Sequence, residues 1–165
     1  IERYVETMSK VQRLEQVQLE KATFDTAALS ADLEKALGFS AADNEKQLHF
    51  HVLSAGGAVT LDKGTLFQVA ENLTTNALRF AKENVSVELS IEGENLKLEV
   101  ADDGAGFPAE LLKDGFQPFR KGTEEAEHLG KGLYICDLLC RKHGGTLKIA
   151  NTDTGAAASA ILKIS

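Results

Sequence analysis

Apolar and polar side chains alternate along this 165-residue chain in two periods. Residues 1–22 carry Ile1, Tyr4, Val5, Met8, Val11, Leu14 and Val17 along one helical stripe close to heptad spacing, with charged side chains on the other faces and neither Gly nor Pro. That spacing predicts a helix. No N-cap precedes it, which favours the end of a longer coiled-coil or bundle helix over a surface helix. The helical period returns over 27–37 (Ala27, Leu29, Leu33, Leu37), with Asp25 or Thr26 as cap and Gly38 as stop. It returns again over 66–82 (Leu66, Val69, Ala70, Leu73, Ala77, Leu78, Phe80) and over 133–143 (Leu133, Ile135, Cys136, Leu138, Leu139, Cys140), where Gly144-Gly145 ends it. A short helix fits 109–113. The two-residue period of a half-buried strand marks 47–54, 59–61, 84–92, 96–101, 146–150 and 156–164, and 24–26 reads as a short strand or an entry turn.

Polar residues interrupt these patterns at three places. The long helix over 66–82 carries Asn72 and Asn76 one turn apart, with Arg79 three residues further on. Asn is a poor helix-interior residue because its amide competes for backbone groups, so two on one face of an otherwise core-like helix suggest a site, although a water-facing stripe also accounts for them. The strand over 96–101 runs into Ala101-Asp102-Asp103-Gly104-Ala105-Gly106-Phe107-Pro108. An acid at a strand end can accept from a ligand and the glycines let backbone approach it; the same residues also make an ordinary solvated turn. Third, Gly130-Lys131-Gly132 opens the apolar helix beginning at Leu133. A helix N-terminus offers free N–H groups and a positive dipole end, which suit phosphate. Lys131 is either a phosphate contact or an exposed loop cation.

The totals narrow the choice. A hydrophobic content of 43% supports a real core, and the formal net charge of -7 argues against a broad nucleic-acid footprint. A nucleotide remains compatible with it, because local cations and amides can hold phosphates. Cys136 and Cys140 lie at i, i+4 on an apolar helix and read as core thiols of a reducing compartment. His49 and His51 share a strand face with no further ligands nearby in sequence, and read as exposed strand histidines rather than a metal pair. No apolar run approaches the ~18 residues of a membrane helix. The chain opens on Ile, so a piece of a longer protein is expected.

The two asparagines and Arg79, the acid before two glycines, and the Gly-Lys-Gly corner together describe a nucleotide site, in which an Asn oxygen suits Mg2+ and Asp102 suits an exocyclic amine. There is no GxxxxGK[ST], and neither glycine pair has the third glycine of GxGxxG in a βαβ context.

At this point the sequence resembles the catalytic ATP-binding domain of sensor histidine kinases, in the superfamily with gyrase, the Hsp90 chaperone and the MutL repair proteins. Residues 71–81 resemble the asparagine box, Asp102-Asp103-Gly104-Ala105-Gly106-Phe107 the first glycine box, Phe116-Gln117-Pro118-Phe119 the phenylalanine box, and Gly130-Lys131-Gly132-Leu133 the second glycine box, with His143-Gly144-Gly145 trailing. The resemblance covers about 24–165 and departs from the pattern at His128, Lys131 and Asp103, where a glycine, an apolar residue and Asn are usual.

The resemblance implies an α/β two-layer sandwich of the Bergerat type: a mixed, mostly antiparallel sheet covered on one face by three helices and preceded by an N-terminal helix. It implies residues 1–22 as the end of a dimerisation and phosphoacceptor hairpin and 23–165 as the catalytic domain. It implies ATP and Mg2+ as cofactors, with Asp102 on the adenine amine, Phe80 beside the base and Phe107 among the nucleotide-binding residues. Asn76 would hold the metal and Asn72 line the phosphates, with Arg79, Arg120 and Lys121 as cations there. Gly104 and Gly106 would let the chain turn under adenine, while Gly130, Lys131, Gly132 and Leu133 would form the phosphate corner. Among these Asn72, Asn76, Arg79 and Lys121 would carry catalysis. The implied reaction passes the ATP γ-phosphoryl group to a histidine on the dimerisation domain, for relay to a response regulator, in a homodimeric parent whose cytoplasmic portion this is. None of His49, His51, His128 and His143 precedes an acid on a suitable helix, so the acceptor is expected elsewhere. The segment 114–129 is expected to be a mobile loop over the site. The alternatives are a degenerate ATP-binding sensor module, a related repair or chaperone ATPase, and a purely structural domain.

Overall fold

The structure, a computed structural model, describes residues 18–42, 45–54, 56–115 and 124–164, with the side chains of 124–128 left out. Its elements are β1 (Ala22–Asp25), α1 (Thr26–Ala42), β2 (Gln47–Val52), β3 (Ala58–Leu61), α2 (Lys63–Phe80), β4 (Asn84–Glu92), β5 (Asn95–Asp102), α3 (Ala109–Asp114), α4 (Glu124–Lys142), β6 (Thr146–Asn151) and β7 (Ala156–Lys163).

Five strands form one sheet in the order β2-β4-β5-β7-β6. The β4–β5, β5–β7 and β6–β7 pairs are antiparallel, and β2 joins β4 in parallel. The parallel pair follows from the crossover through α2, since a chain returning alongside its own direction needs a long connection. β1 and β3 pair separately. The alternation in the strands accounts for the one-sided cover. Val85, Val87, Leu89, Leu96, Leu98 and Leu162 are fully or almost fully buried under the helices. The residues between them, such as Glu88, Lys97, Glu99 and Ser159, face away and form the outer side. In the helix layer α2 sits between α1 and α4, over β4 and β5; α1 covers β2, and α4 covers β6 and β7. Each fully buried Leu removes apolar surface worth about 2 kcal/mol. Asp137 of α4, itself buried, accepts from the Leu147 amide at 3.1 Å and from Arg141 at 2.8 Å, tying that helix to the start of β6.

Two expectations are corrected, the second only at its last residues. Gly38 does not stop α1, which runs to Ala42. Leu37 and Ala41 are both buried, and their burial outweighs the ~1 kcal/mol penalty of one helical glycine. The N-terminal helix over 1–22 falls outside the described residues as far as 17; residues 18–21 carry no regular structure, and Ala22 already opens β1. There the backbone pairs with β3 instead, Ala22 opposite Leu61. The expected cap does form: Asp25 accepts from the Ala28 amide at 3.0 Å.

Candidate nucleotide-binding site

Asp62 sets the register of α2. Its Oδ1 accepts from the Thr65 amide at 2.9 Å, which fixes the first turn. From there Val69, Ala70, Leu73 and Ala77 point into the core, and the 3.6-residue period carries Asn76 to the flank that meets the end of β5. A cavity of about 130 Å3 opens there. Leu73, Asn76, Ala77 and Phe80 of α2 form one wall; Val100 and Asp102 of β5, with Ala156 and Ala158 of β7, form the floor. Gly106, Phe107 and Pro108 close one side, and Leu129 and Leu133 of α4 the other. An engineered apolar cavity on the order of 150 Å3 holds a benzene ring, so this one has the scale for a flat aromatic group. Its walls are apolar apart from Asn76 and Asp102, the usual build of a small-molecule site.

Asp102 is half-buried at the strand end. It accepts from the Gly104 amide at 2.8 Å and from that of Ala156. Burial pushes its pKa up, helped by the neighbouring charge of Asp103, while the two amides and Lys46 pull the other way; the net direction is upward. The amides use only part of the carboxylate's acceptor capacity, leaving room for a ligand donor. Gly104 is required by packing: a Cβ there would lie 2.1 Å from the Phe80 carbonyl oxygen. Asp103, adjacent in sequence, has a different task. It accepts from the amides of Lys82, Glu83 and Asn84 at 2.7 to 3.2 Å and from the Asn84 side chain at 3.2 Å. Desolvation is the largest single influence and raises its pKa, but those donors together outweigh it and hold the carboxyl low. It fastens the α2–β4 turn and leaves the cavity to Asp102.

The structure brings Asn76, Phe80, Asp102, Gly106, Phe107 and Leu133 to one cavity. Gly132 lies against it, since a Cβ there would be 3.7 Å from Asn76 Nδ2. Asn72 is one turn back on α2, Arg79 is exposed beside it, and neither lines the cavity. Gly130 is buried and Lys131 half-exposed, both outside the lining. The phenylalanine box, Arg120 and Lys121 lie outside the described residues.

The glycine corner needs correction. The helix expected to start at 133 is α4, Glu124–Lys142, so Gly130, Lys131 and Gly132 lie inside it. Their N–H groups are placed within a helical hydrogen-bond ladder and are not a free helix N-terminus. The cause is local: Glu124-Glu125-Ala126-Glu127 and Leu129 are strong helix formers. They also overturn the expected loop over 114–129 for its last residues. Sequence reasoning missed Asn151 altogether, leaving it in the gap between the strands over 146–150 and 156–164. Its side chain holds both backbone groups of Phe107, 44 positions away; no local pattern signals such a contact.

Comparison with known proteins bears on the same residues. The family described as histidine kinase-, DNA gyrase B- and HSP90-like ATPases matches residues 61–164. The sensor protein kinase PilS of Pseudomonas aeruginosa is 34% identical over 120 residues, which is 68% of this chain and 22% of PilS. The chain thus spans about a fifth of that relative's length. Among solved structures, the Acinetobacter baumannii histidine kinase AdeS superposes with a TM-score of 0.74 at 21% identity, over 98% of this chain and 77% of the AdeS chain. Full-length ShkA in complex with AMPPNP gives 0.79 at 22% identity, over 98% of this chain and 35% of that one.

Proposed function

Because the chain belongs to the histidine kinase-, DNA gyrase B- and HSP90-like ATPase family, on its sensor histidine kinase branch, we propose that its cavity holds Mg·ATP for transfer of the γ-phosphoryl group to a histidine of the parent's dimerisation domain. The reading rests on one observation. Asn76 and Asp102, the two polar groups of an otherwise apolar cavity, face it together, with Gly132 against Asn76.

Asp102 accepts from the adenine amine and so selects the base; a carboxylate left without that donor is a desolvated charge, which disfavours guanine. Phe80 and Phe107 flank the ring plane. Among the described residues no hydrogen bond engages the Asn76 amide, so its oxygen is available as a hard ligand. Among those residues no cluster of three His, Cys, Asp or Glu could cage a metal. That fits Mg2+, which takes one or two protein oxygens, keeps waters and shares the phosphates. Held by Asn76, the ion would supply neutralisation of phosphate charge. Asn72 and Arg79 extend the same helix edge toward the phosphates, and Lys131, Arg120 and Lys121 supply cations around them. Phosphoryl transfer needs little beyond such positioning and neutralisation. The acceptor histidine, a homodimeric parent and a response regulator complete the reaction outside this chain.

Calorimetry tests the reading. Mg·ATP binds, ATP alone binds more weakly, and Asn76→Asp or Asp102→Asn abolishes binding. Adding a dimerisation segment that carries the acceptor histidine then yields phosphohistidine. Binding without transfer would leave an ATP-binding module, and no binding at all would overturn the reading.

A further inference from the structure

Asn151 closes β6 and pairs across the hairpin with Ala156. Its amide points at the loop after β5. Oδ1 accepts from the Phe107 amide at 2.6 Å, and Nδ2 donates to the Phe107 carbonyl at 3.1 Å. One side chain thus binds both backbone groups of one residue, as a neighbouring strand would. The same side chain covers Gly106, where a Cβ would come within 2.9 Å of Asn151 Oδ1. Gly106 has φ of 91°, a conformation open to glycine. The chain therefore turns at 106 and is pinned at 107, and both residues are walls of the cavity. The rest of the hairpin backs the same loop. The Ala156 amide bonds the Asp102 carboxylate, and a Cβ on Gly155 would strike the Asp102 carbonyl oxygen at 2.1 Å. The hairpin turn is itself braced, with Thr152 Oγ1 accepting from the Gly155 amide at 3.0 Å.

We propose that Asn151 is a positioning residue of the nucleotide site, acting through Phe107 and Gly106 to hold the base wall in place before the ligand arrives. The inference rests on the ATP reading of the cavity. A loop ordered in advance spares the ligand that ordering cost, so removing the clamp weakens every ligand that uses the wall. The base belongs to that wall and the phosphates do not. The effect therefore falls equally on ATP and on adenosine.

The test measures the affinity of the chain for Mg·ATP and for adenosine by calorimetry, well below the unfolding midpoint, with hydrogen exchange at the Phe107 amide. Asn151→Ala weakens both ligands by the same factor, about tenfold, and speeds exchange at Phe107. Asn151→Asp keeps the volume and the acceptor but sets an oxygen against the Phe107 carbonyl. It also weakens both ligands, and carries the test should Asn151→Ala fail to fold. A merely structural role moves the unfolding midpoint and leaves both affinities within about twofold of wild type; that result overturns the inference alone. Loss confined to Mg·ATP also overturns it. A wild-type chain that binds neither ligand overturns the ATP reading and this inference with it.

Discussion

The backbone amide of Asp62 donates to Nε2 of His143 at 3.0 Å. The carboxylate of Asp62 meanwhile caps α2 and accepts from the Glu20 amide at 2.8 Å. One residue therefore joins the segment entering the domain, the helix that carries Asn76 and the turn that ends α4. His143 is buried, and its Nε2 is an acceptor, so the ring is neutral with its proton on Nδ1.

Replacing His143 with Ala leaves the Asp62 amide unpaired and opens a hole beneath the α4 turn. We expect a loss of about 3 kcal/mol in urea unfolding. His143→Gln, which can still accept from that amide, recovers part of it.

The same contact is pH-sensitive. Burial lowers the His143 pKa from its ordinary 6.5, Lys21 pushes the same way and Asp62 opposes them. A depressed folded pKa means that the unfolded chain binds the proton first. The stabilisation is complete above 6.5 and drains away as pH falls through the folded value. Unfolding midpoints measured from about pH 8 to about pH 5 should fall in wild type and fall less in His143→Gln.

Gly104→Ala sets a methyl group against a backbone carbonyl, Phe80 O, at 2.1 Å. Neither the end of α2 nor the β5 loop can yield without distorting the cavity. We expect destabilisation of about 3 kcal/mol, read by urea unfolding, together with lost Mg·ATP binding.

Gly132→Ala should act with the opposite sign on stability. Its Cβ makes only an ordinary contact of 3.7 Å, and Ala is the better helix former by ~1 kcal/mol. If the amides at 130–132 must leave the helix to hold phosphate, that gain in helix stability comes with weaker Mg·ATP binding. Unfolding and calorimetry on this one variant read both effects.

Cys136 and Cys140 are fully buried. Burial, with the charges of Cys136 and Asp137, pushes the Cys140 thiol far up. Neither thiol should react with Ellman's reagent at about pH 8 until the chain is unfolded in urea.

Much of the fold was legible from local pattern. The Asp62-to-Phe80 region and the β4–β5 hairpin carry clear periods because burial on one side imposes them. The candidate site was legible in part through its motifs, with Asn76 and Asp102 named from residue type and position. Gly38 and Gly130–Gly132 misled because a glycine signals only a local preference, while buried neighbours and strong helix formers decide whether the helix continues.

What the amino-acid order determined by itself was the set of elements, their apolar faces and the chemistry available on them, since these follow from side chains a few positions apart. Only the tertiary structure decided that Asn151 would clamp Phe107, that Asp103 would serve the turn and Asp102 the cavity, and that β2 would run parallel to β4. Those outcomes depend on which distant segments the packed core brings within hydrogen-bond reach of each other, and partners chosen at that range leave no periodic trace along the chain.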